Sequence, residues 1–550
     1  MAATAGAGLP VGVARLRRAV AGLTGWRRRG AAALLGAAMT LALPPLYILP
    51  AMALAISGLL WLSEGEAAGA TARRRLASGF ALGWWFGLGY FAFGLYWINS
   101  ALLVDGWRFA WLIPLSVAGI GGGLALFSAI AVAAACLARP GWPRLLALAG
   151  GWTLLEVARG HLFTGFPWNL AGHALVFSDL LVQGASLSGV YGLSLAVVLW
   201  AGGASLLDRP IRSGALLLLV GLPLAMAAYG FARLERSYAP TDGLMPVMVR
   251  LVQPAVPQRE KWDPTLRFAH LDRLVDLTAA PPRDSDQAPQ VVIWPEAATA
   301  FDLAGDAALR RAIAGILPAG GVLIAGTLRQ ELGQDRGQDS GRVFNAIIAV
   351  DSDGAVRATY DKHHLVPFGE YVPFADAPGV AALALGRGSL SAGAGRRTLR
   401  VGHIPAFGPL VCYEAIFPGQ VTARGTRPDW LLNLTNDAWY GETAGPHQHF
   451  AAVRLRAVEE GLPLVRVANT GISAVVDSWG RLQAVIPLGV GPAFVDAPLP
   501  RALPATVFAR VGLAGPLSLA GLVLLAGWGL SGRGVSGRDG PVGAGPGARS

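Results

Sequence analysis

Apolar residues fall along this chain in blocks of membrane-spanning length, and that distribution limits the folds open to it. Seven blocks precede residue 233, at about 31–45, 46–62, 78–100, 110–137, 143–159, 188–207 and 213–232. An eighth lies at about 508–531. Several reach the roughly 20 residues that a helix needs to cross hydrocarbon. Hydrophobic residues make up 53% of the chain and charged residues 14%, against about a quarter charged in ordinary soluble domains. A wholly soluble protein is therefore excluded. Pro44-Pro45 joins the first two blocks in a tight hairpin. The fifth block contains Glu156 and ends at Arg159, so its end is expected in protein rather than in lipid.

The net charge of +11 would suit a nucleic-acid surface, but its placement does not. Between Arg233 and Arg501 there are 26 basic and 27 acidic residues; the remainder has 19 basic and 7 acidic. The excess thus flanks the apolar blocks. Arg15, Arg17, Arg18 and Arg27 to Arg29 precede the first block, Arg73 to Arg75 follow the second, Arg139 and Arg144 follow the fourth, and Arg209 and Arg212 follow the sixth. Arginine-rich loops stay cytoplasmic. About eight spans, seven before the polar region and one after it, put both termini in the cytoplasm and the polar region on the opposite side. The expected division is an Arg-rich N-terminus (1–30), a seven-helix transmembrane domain (31–232), a polar domain (245–500), a C-terminal span (508–531) and a disordered Gly-rich tail (532–550).

Within 245–500, short apolar runs bounded by Gly, Pro and Asp read as strands buried on both faces. They are MVRLVQ, VVIWPE, GVLIAGTL, VFNAIIAVD, LVCYEA, WLLNLTND, PLVRVAN and ISAVVDSWG. Helices are expected at 303–316 and 447–460, the second with Phe450, Val453, Ala457 and Val458 on one face. Strands interleaved with helices imply a layered α/β domain. The loop 330–341 is polar and solvated. The stretch 363–395 is long and apolar, which suits a lid over an acyl-chain entrance or a loop packed on its own domain.

Only two of the 45 basic residues are lysines, and the chain has two cysteines. One lysine, Lys362, lies in DKHHLVPFGEYVP. One cysteine, Cys412, lies in GPLVCYEAIFP. Upstream, a strand runs into Glu296 in WPEAA. A free thiol has a pKa of about 8.5 and needs a base and a nearby cation to act as a nucleophile. Glu296 is the candidate base. Lys362 offers a compact charge that an arginine fork does not, suited to an oxyanion, with the Tyr413 backbone N–H as a second donor. Taken singly, Glu296 could serve a helix N-terminus, Lys362 a surface and Cys412 a core; three such contexts in one domain argue for a site. Cys136 lies in an apolar run and reads as a small buried hydrophobe, not a disulfide partner. His447 and His449 stand one residue apart with no Cys or carboxylate cluster beside them, so no metal is expected.

WPEAA, DKHHLVPFGEYVP and CYEAIFP resemble the Glu-Lys-Cys blocks of the nitrilase superfamily. Joined to these spans, they resemble the bacterial apolipoprotein N-acyltransferase family over about residues 30–530. LVQPAVPQREKW, NLTNDAWYG, PHQHF and RVANTGISAVVDSWG resemble family blocks too, and TGFPWN does so more weakly. The resemblance implies an αββα sandwich inserted between transmembrane helices, in the bacterial inner membrane with the polar domain periplasmic. It implies Glu296 as base, Lys362 as oxyanion cation and Cys412 as nucleophile. Glu370 would orient Lys362 or Cys412; Tyr413, Glu414 and Trp262 would support the site, and Trp439 with Tyr440 would line the substrate entrance. The implied reaction moves an acyl chain from a phospholipid to the N-terminal amine of diacylglyceryl-cysteine on an apolipoprotein through a Cys thioester. No cofactor and no nucleic acid are implied, and a monomer is expected. Two rivals stand beside it: a membrane-tethered amidase or nitrile hydrolase with the same triad, and a transporter or scaffold whose polar domain is inactive.

Overall fold

The computed structural model describes residues 8–65, 70–104, 106–209, 212–235, 246–282, 287–331, 341–373 and 389–532. Five described helical segments are long and apolar enough to cross a membrane: Ala72–Gly94, Gly106–Cys136, Leu181–Leu206, Arg212–Leu234 and Ala514–Ser531. Leu49–Leu62 is apolar but shorter. The blocks at 31–45 and 143–159 fall on helices Gly25–Met39 and Trp142–Arg159, which do not meet that mark of length and hydropathy. A helix over Gly8–Ala21, in the Arg-rich N-terminus, was not foreseen.

The Trp142–Arg159 helix ends in protein, as its charges required. Glu156 Oε1 accepts from Trp152 Nε1 at 3.0 Å and from the Ala171 backbone N–H at 2.9 Å. Arg159 Nη1 donates to the carbonyls of Phe166 and Trp168, both at 2.7 Å. Buried charges are tolerable only when paired or hydrogen-bonded in this way. Their effect is to fix the loop 164–169, which reaches the polar domain.

The polar region holds the strands β1 (Met248–Gln253), β2 (Val291–Ile293), β3 (Val322–Glu331), β4 (Arg342–Val350), β5 (Val356–Asp361) and β6 (Leu399–Val401). It continues with β7 (Ile404–Val411), β8 (Trp430–Thr435), β9 (Leu464–Ala468), β10 (Ser473–Val476), β11 (Leu482–Ile486) and β12 (Ala493–Pro498). They make two six-stranded sheets, in the orders β12-β1-β2-β3-β4-β5 and β11-β10-β9-β8-β7-β6. Val249, Leu251, Ile293 and Ile347 of the first sheet pack against Phe407, Leu432, Val465 and Val475 of the second. Helices Arg267–Ala279 and Ala307–Ala314 cover the outer face of the first sheet through Leu274 and Ile313. Helix Ala444–Glu460 covers the second through Phe450, Val453 and Ala457. The layers are α-β-β-α, with apolar residues on both faces of the inner strands.

Val458 is a correction: it turns away from the sheet and packs in the cluster that also contains the membrane helices. Tyr413, Ile416, Phe417, Ala451 and Leu455 join it there, so the polar domain rests on the helical part through the turn that follows β7 and the helix Ala444–Glu460. The helix ends at Gly461, whose φ of +65° suits glycine. Of the stretch 363–395, residues 374–388 lie outside the described residues, as do 332–340 and the tail beyond 532.

Arg250 of β1 and Asp496 of β12 clamp the edge of the first sheet. Nε and Nη2 each meet a carboxylate oxygen at 2.7 Å, with both side chains almost wholly buried. Asp496→Ala takes away the carboxylate and leaves the buried guanidinium charge with only the backbone carbonyls of Leu277, Thr278 and Ala280, a change that typically costs about 3–5 kcal/mol. The expected result is a clear fall in the midpoint of thermal unfolding in detergent; an unchanged midpoint would show the clamp to be unimportant.

Candidate active site

Three strand ends converge between the sheets. At the end of β2 the chain continues as Trp294-Pro295-Glu296. It is tied to β3 by Trp294 N–H to the Ile324 carbonyl (2.9 Å) and Ala298 N–H to the Gly326 carbonyl (2.9 Å). Gly326 is needed here: a Cβ would lie 2.5 Å from the Pro295 oxygen and 2.6 Å from Glu296 Cα. Ala297 carries a φ of +43° and Cys412 one of +50°, a region that costs non-glycine residues roughly 1–2 kcal/mol. Such strain gathers at functional sites. Cys412 stands where β7 breaks into a short 3-10 turn, Cys412–Ile416.

Glu296, Lys362 and Cys412 are all buried. Glu296 Oε1 accepts from Asn345 Nδ2 at 2.7 Å, and the same amide group reaches Glu370 Oε1 at 3.1 Å. Lys362 Nζ meets the two Glu370 carboxylate oxygens at 2.9 and 2.8 Å. Glu370 Oε2 also accepts from the Val366 backbone N–H at 2.8 Å. Glu370 is thus bonded to Lys362 and to the backbone of its own loop.

Burial pushes the Cys412 thiol up to about 12; the Glu296 charge adds to the rise and Lys362 opposes it. Burial also raises the Glu296 carboxyl, against the pull of Lys362. Burial works against the Lys362 charge, yet Glu370 and then Glu296 outweigh it and raise its pKa. Each of the three buried groups therefore lies in the electrostatic field of the others. Such a set can form a covalent acyl thiol and hold the negative oxygen that develops during attack.

Glu414 ties the nucleophile's turn to the lysine's strand. Its Oε2 accepts from the Val411 N–H at 2.8 Å; its Oε1 accepts from the N–H groups of His363 (2.9 Å) and His364 (3.1 Å) and from the Tyr360 hydroxyl (2.8 Å). Tyr413 donates its hydroxyl proton to the Gly165 carbonyl in the membrane-side loop at 2.6 Å. His364 contacts the Thr164 carbonyl at 2.9 Å and stacks on Phe417, centroids 4.2 Å apart. Trp262 is 44% exposed, its ring 5.9 Å from Lys261 Nζ. Trp439 lies half-buried on the turn Asp437–Tyr440, whose Tyr440 packs on Trp97 at 4.5 Å. His449 bonds Asp437 at 2.8 Å, and Asp437 also pairs with Arg466 at 2.6 Å.

Sequence reasoning passed over Asn345 and Lys261. Asn345 is a lone amide inside the apolar run VFNAIIAVD, and that interruption was the signal that could have found it. Lys261 donates to the Glu296 carbonyl at 3.0 Å.

The N-terminal domain of apolipoprotein N-acyltransferases matches residues 35–203, and the carbon-nitrogen hydrolase family matches residues 248–490. The apolipoprotein N-acyltransferase of Brucella suis biovar 1 is 43% identical over 496 residues, 89% of this chain and 92% of that protein. That of Rhodopseudomonas palustris is 40% identical over 514 residues, 91% of this chain and 95% of the other. Among solved structures, a mutant amidase from Nesterenkonia sp. AN1 is 22% identical, with a TM-score of 0.33, covering 50% of this chain and 97% of its own. With relatives this similar along nearly its whole length, the chain belongs to the apolipoprotein N-acyltransferase family, as a membrane protein with a nitrilase-superfamily domain.

Proposed function

We propose that this protein transfers an acyl chain from a membrane phospholipid to the N-terminal amine of S-diacylglyceryl-cysteine on apolipoproteins, the last step of bacterial lipoprotein maturation. It would act in the inner membrane, with the polar domain periplasmic, both termini cytoplasmic and no partner subunit required. The observation that carries the reading is a buried thiol, beside a carboxylate and an ammonium, on a turn bonded to a membrane-side loop through Tyr413.

In the first half-reaction, Glu296 takes the thiol proton as Cys412 Sγ attacks the ester carbonyl. Because burial disfavours a free thiolate, transfer accompanies attack and no thiolate accumulates. Lys362 faces the oxyanion. The C–O bond breaks, lysophospholipid leaves with the proton, and a thioester remains on Cys412. In the second half-reaction, the apolipoprotein amine attacks the thioester, Glu296 takes an amine proton, the C–S bond breaks and the thiol is restored. Water must stay out between the two, or the thioester would hydrolyse.

The test incubates purified protein with phospholipid and no acceptor, then weighs the peptide that carries Cys412. A hydroxylamine-sensitive acyl mass is expected. An unmodified thiol in folded protein would overturn the thioester step. Turnover of the acylated form by water alone, with no dependence on an amine, would turn the reading to a hydrolase.

The pH profile supplies a second check. The base must be ionised, and burial raises the Glu296 carboxyl. Activity is therefore expected to fall on the acid side at a pH above the ordinary glutamate value of about 4.3. An acid limb at or below that value would remove Glu296 from the role.

A further inference from the structure

The chain has two lysines, and both lie at this site. We propose that Lys261 is a positioning residue of the reaction: its ammonium pins the Glu296 carbonyl at 3.0 Å and so sets a second positive charge beside the base. The inference rests on the roles given above to those two residues.

Three observations carry it. Lys261 is 7% exposed, and a buried ammonium is costly unless something at the site uses it. The bond it makes is to the backbone of the base, next to Ala297 with its φ of +43°, so it helps hold a strained turn that aims the carboxylate. Lys362 is engaged with Glu370 at 2.8 Å, whereas among the described residues no carboxylate lies within ion-pair distance of Lys261. Its ammonium meets the Glu296 carbonyl and lies 5.9 Å from the Trp262 ring. Burial lowers the Lys261 pKa to about 8, with Glu296 and then Cys412 pulling the other way. The other charged or titratable groups facing this set are Lys362, Glu370, Asp437, Tyr440, His449, Arg466 and His270. None of them contacts the Glu296 carbonyl in Lys261's place.

Lys261→Met removes charge and hydrogen bond at similar volume; Lys261→Gln removes the charge but keeps a donor. Both are compared with wild type in detergent by the rate at which iodoacetamide alkylates Cys412 across pH, read by mass on its peptide. Acyl-enzyme formation from phospholipid is measured in parallel. With one positive charge lost, the thiol and the Glu296 carboxyl both become harder to ionise. Alkylation at neutral pH is expected to slow roughly fivefold or more, with its profile and the acid limb of acylation both moved to higher pH. Acylation is expected to slow on the order of tenfold or more.

Wild-type alkylation and acylation profiles in both variants would overturn the proposal. Full recovery in Lys261→Gln with loss in Lys261→Met would overturn the electrostatic role. Should Lys261→Met fail to fold, the Gln variant alone decides the charge. If wild type alkylates but never acylates, the reading of the reaction fails, while alkylation still decides the role of Lys261.

Discussion

Cys412→Ala is expected to lose at least about a thousandfold in acyl transfer while keeping its fold, because groups of this kind act as a unit and their removal costs orders of magnitude. The substitution deletes one buried sulfur atom on the 3-10 turn that follows β7. The rest of the turn is held by Glu414 and Tyr413, through bonds that do not involve the thiol. The unfolding midpoint should therefore move little and acyl-peptide formation should vanish. Cys412→Ser is expected to be inactive as well, since a hydroxyl is a far weaker acid and the Glu296 carboxylate would not activate it. A Cys412→Ala variant with more than about a tenth of the wild-type rate would exclude Cys412 as nucleophile.

How much was legible follows from where each residue sits. The eight strands foreseen are all inner strands of the two sheets, where burial on both faces writes an unbroken apolar run, as in Trp430–Thr435. The four that were missed, Val356–Asp361, Leu399–Val401, Leu482–Ile486 and Ala493–Pro498, are the four sheet edges. Edge strands mix exposed and buried positions over a short length, and their pattern resembles a loop. The helix Arg267–Ala279 was missed as well, because its polar outer face outweighs its few core contacts. Candidate catalytic residues stood out because each is chemically odd in its surroundings: a carboxylate after a buried strand, a lysine in an arginine-rich chain, a lone thiol. Asn345 and Lys261 act on Glu296 across large sequence gaps, and Lys261 touches a backbone atom. The Lys261 contact leaves no local pattern to read, whereas Asn345 shows as a lone amide inside an apolar run. The bond from Tyr413 to Gly165 spans 248 residues and was equally invisible.

Glu414→Gln is expected to damage both stability and activity, unlike Cys412→Ala. As a buried carboxylate, Glu414 accepts from the backbone of the Cys412 turn and from two consecutive N–H groups next to Lys362, with the Tyr360 hydroxyl as a further donor. An amide in its place turns two N–H donors toward groups that are themselves donors. Charge-assisted bonds of this kind contribute about 1.5–3 kcal/mol each, so a loss of roughly 2–4 kcal/mol is expected after relaxation. Burial opposes the Glu414 charge, but the His363 ring, its Nδ1 2.6 Å from Oε1, and then the Val411 N–H outweigh it and hold the carboxyl below its ordinary pKa. A folded pKa below the unfolded one means that the ion stabilises the fold above the unfolded value of about 4.3 and loses that effect as pH falls. The Gln variant should lack this part of the acid destabilisation expected of the wild type. Activity should fall by about a hundredfold, because misplacing reacting groups by roughly 1 Å costs that much. The check is thermal unfolding in detergent at two pH values beside acyl-enzyme formation. Normal stability with lost activity would mean that Glu414 meets substrate directly; normal values of both would mean that the nucleophile turn and the lysine strand do not depend on this bridge.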